Sequence, residues 1–161
     1  MPPIPDDSFA EVYSRHLPAI SAYLARRVDR QHVEDLAADV FAVAWRRRNS
    51  VAESEEAPWL YRIAANLVAN HRRKQAATAS FIASLRPIDA APAAEDIVIA
   101  DANLAAAWKG LRARDREVLA LAVLEDLPIA SIAVILGVST NAVSIRLHRA
   151  RKLLARKLAA D

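Results

Sequence analysis

Cysteine is absent from the 161 residues, which excludes disulfides and thiolate metal sites and allows a reducing compartment. Glycine occurs only at Gly110 and Gly137, and no glycine-rich phosphate loop or nucleophile motif is present. The four histidines, His16, His32, His71 and His148, lack metal-ligand spacing. No enzyme, metal or cofactor is therefore expected. No apolar run approaches the length of a membrane span, and the opening "MPPIPDDSF" has neither the basic nor the apolar part of an export signal. These features predict a soluble, cytoplasmic protein with no membrane partner.

Alternation of β-branched residues is also nearly missing, while alanine and arginine are heavily used, so the predicted fold class is all-α. The net charge of +3 decides little by itself, but its distribution is uneven. Residues 1–74 hold eleven basic and ten acidic side chains, residues 101–161 ten and six, and residues 135–157 contain no acid. Positive charge is concentrated at one end.

Four helices are expected in the first half. Ser8 and Glu11 have capping-box spacing, with Phe9, Val12, Tyr13 and Leu17 on one face. Pro18 suits the first turn of a second helix carrying Ile20, Tyr23, Leu24 and Val28. A third places Val33, Leu36, Val40, Phe41 and Ala44 inward and leaves Glu34, Asp35 and Asp39 outward. A loop with Glu53, Glu55 and Glu56 follows, and Pro58 opens a fourth helix. There Leu60, Ile63, Ala64 and Leu67 face inward, and Arg62, Asn66, Asn70 and Arg73 form a polar, partly basic edge. Residues 75–93 have no sustained period and read as a linker, although Phe81, Ile82, Leu85 and Ile88 are equally compatible with a short docking helix. The expected organisation is two small helical domains, 8–74 and 94–161, joined by that linker.

In the second domain Ala133, Gly137 and Val143 have the spacing of a helix-turn-helix: a small residue at the crossing, a glycine able to take positive φ, and an apolar anchor. Ser139 is placed to cap the second helix, which should start at about Thr140. With Val143, Leu147, Ala150 and Leu154 buried, the outward side carries Ser144, Ile145, His148, Arg149 and Lys152, flanked by Arg146, Arg151 and Arg156. A helix so charged is suited to a DNA major groove.

The segments "VEDLAADVFAVAW", "PWLYRIAANLVANHRRK", "RDREVLALAVLEDLPIASIAVILGVS" and "VSIRLHRARKLL" occur in the order found in bacterial RNA polymerase sigma factors. The chain most resembles the extracytoplasmic-function (ECF) group. This resemblance covers nearly the whole sequence and implies a region 2 domain followed by a region 4 domain. It implies binding to core RNA polymerase, through the clamp helices of the largest subunit and the flap, and to promoter DNA, with promoter melting driven by base capture. An anti-sigma factor is implied as a further partner. By the same resemblance Glu34, Asp35, Leu36 and Asp39 fall on the polymerase-binding helix, which has Ala38 where the family usually has glutamine. Trp59, Tyr61, Arg62, Asn66, Asn70 and Arg73 fall on the minus-ten helix, with Asn66 at a flipped-base position. Trp59 and Tyr61 there either stack on unpaired bases or pack in the core. Ser144, Ile145, Arg146, His148, Arg149 and Lys152 fall on the minus-thirty-five reader. Residues 49–57 match the minus-ten specificity loop in position but lack its common aromatic and glycine residues. The alternative is a stand-alone helix-turn-helix regulator, which would bind duplex DNA as a symmetric dimer and have no need of an acidic docking helix.

Overall fold

The computed structural model describes residues 6–50, 55–85 and 99–160, with side chains for 8–50, 55–82 and 99–160. Residues 51–54 of the expected specificity loop, the 86–93 part of the expected linker with Ile88, and residues 94–98 of the expected second domain lie outside that set. The described residues form seven α-helices and no strand, as the missing β-branched alternation predicts. None of these helices is by itself long and apolar enough to cross a membrane. The chain divides into two compact units, Met1–Asp96 and Ile97–Asp161.

In the first unit α1 (Asp6–Ala25), α2 (Arg30–Arg46) and α3 (Glu56–Leu85) pack on one another in all three pairings. Val12, Ile20, Tyr23 and Leu24 of α1, Leu36, Ala37, Val40, Phe41 and Ala44 of α2, and Leu60, Ile63, Ala64 and Val68 of α3 fill the core. Edge-on ring contacts between Phe9 and Trp45 (5.1 Å) and between Tyr13 and Phe41 (4.8 Å) join α1 to α2. The two expected N-terminal helices are one, because Pro18 lies inside α1. A proline there deletes one intrahelical hydrogen bond, but Val12 before it and Ile20 and Leu24 after it are buried in the same core, which holds the helix together across it. Ser8 consequently sits in the first turns of α1 and is not its cap.

The fourth expected helix also runs longer. α3 is continuous through Leu85, so the expected boundary at position 74/75 falls within it. Gln75, Ala76, Ala77 and Ala79 are strong helix formers that need no apolar period, and Thr78 Oγ1 donates to Lys74 O at 3.0 Å. Residues 75–82 are exposed, including Phe81 and Ile82.

The second unit contains α4 (Ala102–Lys109), α5 (Ala113–Leu119), α6 (Ile129–Leu136) and α7 (Thr140–Ala159). Asp101 caps α4 by accepting from Leu104 N at 3.0 Å. α5 continues as a π-helical turn, Ala120–Leu124, closed by Glu125 N to Ala120 O at 3.0 Å. Val123, within that turn, is exposed, while Val118, Leu119, Ala120 and Leu121 ahead of it are buried. α7 packs against α4, α5 and α6, burying Val143, Leu147 and Ala150.

Candidate nucleic-acid interface

The turn between α6 and α7 is built by local chemistry. Gly137 has φ 65° and ψ 36°, the left-handed conformation that glycine takes without a Cβ penalty. Val138 N donates to Ala133 O (3.1 Å) and Gly137 N to Val134 O (3.3 Å), the paired bonds of a Schellman helix end. Two residues later Ser139 Oγ accepts from Ala142 N at 3.1 Å and starts α7. Between these caps the axis turns by 102°, within the helix-turn-helix range. Ala133 lies at the crossing with 7% of its surface exposed, and Val143 is fully buried.

That turn leaves one long side of α7 uncovered. Ser144, Ile145, His148, Arg149 and Lys152 are exposed there and Arg146 is half-buried. Ser144 Oγ donates to Thr140 O at 3.1 Å, so the hydroxyl proton is held by the helix and only acceptor capacity faces outward. Ile145, 43% exposed, is a large apolar side chain left in water at the middle of a basic surface. The flank of α7 bearing Arg146, Arg149, Leu153 and Lys157 forms one wall of a cleft of about 480 Å³; the α4–α5 turn, with Arg112 and Arg114, forms the other. Sequence reasoning missed these two arginines. Their signal is the spacing in "LRARDRE", where Arg116 is consumed by structure, donating to Leu111 O at 2.6 Å.

In the first unit Glu34, Asp35 and Asp39 are exposed on α2, and among the described residues none of the three makes an ion pair. Leu36, grouped with them in the sequence, is buried and fixes the helix from below. On α3 the positions 59, 62, 66, 70 and 73 recur every three or four residues and so share one stripe. Arg62, Asn66, Asn70 and Arg73 are exposed along it, Trp59 is half-buried at its start, and Arg73 Nη2 donates to Asn70 Oδ1. Tyr61 is a correction: it is one position off the stripe, 5% exposed, and its ring meets Tyr23 edge-on at 5.4 Å. A side chain so enclosed presents no face to a base.

Glu56 is the other residue that sequence reasoning missed. Read as one of three loop glutamates, it instead begins α3 and is 4% exposed. Its Oε1 accepts from Arg15 Nη1 at 2.6 Å and from His16 Nε2 at 2.9 Å. These bonds tie the first turn of α3 to α1 just ahead of Trp59.

By fold, the second unit is a helix-turn-helix DNA-binding module. Residues 12–78 match Sigma-70 region 2 and residues 102–154 match Sigma-70, region 4. RNA polymerase sigma factor CarQ of Myxococcus xanthus is 31% identical over 148 residues, covering 89% of this chain and 84% of that protein. ECF RNA polymerase sigma factor BldN of Streptomyces coelicolor is 28% identical over 165 residues, covering 96% of this chain and 62% of its own length. Among solved structures, CnrH in complex with the cytosolic domain of CnrY aligns with TM-score 0.67 and 25% identity over 98% of this chain and 91% of that one. The sigma factor RpoE of Bartonella quintana, in complex with NepR, shares the fold at TM-score 0.71 and 24% identity over 96% and 98% of the two chains. The chain belongs to the RNA polymerase sigma factors, in the two-domain ECF group.

Proposed function

We propose that the chain acts as a promoter-recognition subunit whose three exposed surfaces have separate tasks. The outward acids of α2, Glu34, Asp35 and Asp39, held in place by buried Leu36, dock on the clamp helices of core polymerase. The α3 stripe, with Asn66 at its centre and Arg62, Asn70, Arg73 and Trp59 around it, captures the unpaired strand of the minus-ten element. An amide both donates and accepts, so it can pair with a base edge, while the arginines neutralise phosphate. The exposed side of α7 reads the minus-thirty-five element: Arg149 is suited to a guanine edge, Ile145 to a thymine methyl, and Ser144, Arg146, His148 and Lys152 complete the surface.

The observation that carries this reading is the co-occurrence of two unlike surfaces in the first unit, an unpaired acidic face on α2 and an amide and arginine stripe on α3. A regulator working alone through α6 and α7 needs neither, and family membership disfavours that alternative. Opening is proposed to come from base capture, with no bond made or broken by the protein. Membership in the ECF group adds an anti-sigma factor to the proposed partners, and the flap to the polymerase contacts. The test is reconstitution with purified core polymerase: co-elution, and transcription from a promoter that core alone ignores, are expected. A chain that shifts duplex DNA as a dimer but never associates with core would overturn the proposal.

A further inference from the structure

Glu56 is the one charged side chain that is buried among the described residues. Taking a carboxylate out of water is costly, and a buried ion pair is often no more stable than an apolar residue of the same size. Its place in the first turn of α3 offsets part of that cost through the helix dipole. Oε1 offsets more, accepting from Arg15 Nη1 at 2.6 Å and from His16 Nε2 at 2.9 Å. Oε2 offsets nothing: it is buried and has no hydrogen-bond partner among the described residues. An orphaned acceptor lowers stability, so packing alone does not account for a carboxylate at this position.

What the carboxylate supplies is direction. The first turn is the weakest part of a helix, because its N–H groups have no intrahelical acceptor, and Pro58 lacks that group altogether. Ala57, Pro58 and Trp59 are only half-buried, and the apolar core reaches α3 at Leu60. Glu56 is therefore the sole fully buried residue of its turn. Its two donors are neighbours on α1, between the buried Val12 and Ile20. The bonds run from a firmly packed segment to one that its own backbone holds poorly.

We propose that Arg15, His16 and Glu56 form a latch that keeps the first turn of α3 wound and holds Trp59 in line with Arg62, Asn66, Asn70 and Arg73. Glu56 is then a positioning residue for strand capture and touches no base itself. The inference rests on the reading of that stripe as the capture surface and extends it to the groups that aim its first member. Trp59 is three positions after Glu56, so fraying of the turn displaces its ring. Asn66 stays in place, because Ile63, Ala64 and Val68 around it are buried.

The experiment uses holoenzyme assembled from core polymerase and the full chain, and a promoter fragment that this holoenzyme recovers from genomic DNA. Affinity is measured for the duplex and for each separated strand of its minus-ten region. Glu56→Met keeps the length and burial of the side chain but removes both bonds. It strands no buried charge, since the Arg15 side chain is 55% exposed and an imidazole can be neutral. Glu56→Gln, which keeps an acceptor oxygen, is the conservative rescue.

For Glu56→Met the urea midpoint is expected to hold or rise, while affinity for the captured strand falls about fivefold or more, the worth of one base–aromatic stack. Affinities for core and for duplex should not change. Deuterium should enter the amides of Leu60 and Tyr61 faster in the free protein, because these close the first turn onto carbonyls four residues earlier. Glu56→Gln should fall between the wild type and Glu56→Met on both measures. Strand affinity and exchange that both match the wild type overturn the latch. So does a strand defect matched by a lower urea midpoint, which would make Glu56 an ordinary stabilising residue, or a fall in core affinity, which would make the ion pair a support for α2. A wild-type holoenzyme that holds neither strand counts against the capture stripe and not against the latch, which the exchange at Leu60 and Tyr61 still judges.

Discussion

Asp126 shows how one residue can carry backbone strain for the turn that delivers α6. It is the one described non-glycine residue with positive φ, 50°, and it directly follows the π-helical turn and its closing residue Glu125. Aspartate tolerates this conformation better than most, and glycine adopts it freely. Asp126→Gly should therefore be neutral or stabilising, whereas Asp126→Val should lower stability by about 1–2 kcal/mol, as read from urea midpoints. His71 presents a different single-residue problem. Its Nε2 is buried with no hydrogen-bond partner, and its ring lies 4.6 Å from that of His32. Burial first, then the neighbouring His32, pulls its pKa below the ordinary 6.5; Lys74 and Arg72 act the same way and Asp29 opposes them. The unfolded chain consequently binds more protons than the folded one between the depressed value and the ordinary one, so stability falls as pH drops through that window and levels off beneath it. The urea midpoint should decline as pH drops through the ordinary histidine value of 6.5, and His71→Gln should remove part of that decline.

At the scale of the element, α3 shows that a surface and its support come from one helix. Asn66 is exposed on the stripe while Ile63, Ala64 and Val68 beside it are buried, so truncating the amide leaves the packing intact. Asn66→Ala should slow promoter opening by about tenfold, the worth of one net hydrogen bond, with initial binding little changed. Permanganate reactivity of promoter thymines measures it. The helix-turn-helix was legible in the sequence because its determinants are local: Ala133, Gly137, Ser139 and Val143 lie within eleven residues and act on their neighbours. Pro18 misled for the opposite reason, since a breaker rule is local and the packing that carries α1 through the proline is tertiary. The 75–82 stretch lacks a period because its side chains are exposed, yet alanine keeps it helical. Tyr61 and Trp59 look alike in sequence, and only the pitch of α3 separates a core ring from a half-buried one. Glu56 was invisible among the loop glutamates because its partners, Arg15 and His16, are some forty positions away.

For the whole molecule, the proposed tasks follow charge: among the described residues Glu34, Asp35 and Asp39 on α2 make no ion pair, and neither do Arg146, Arg149 and Lys152 on α7. Reversing the first sign should act on polymerase and not on DNA. Asp35→Arg with Asp39→Arg is expected to weaken core binding by about tenfold or more in a fluorescence titration, with helical content by circular dichroism unchanged. The length of α3 has a dynamic corollary. At 30 residues it is about 45 Å long, but its buried positions end at Val68 and everything from residue 72 to 82 faces water. Cooperativity inside this helix cannot be uniform, because only its first half is held by the core. Deuterium should enter its backbone amides in a step: slowly at 60–68, where opening requires the first unit to unfold, and rapidly at 75–82, where exposed side chains leave the helix able to unwind while the candidate strand-capture stripe stays folded.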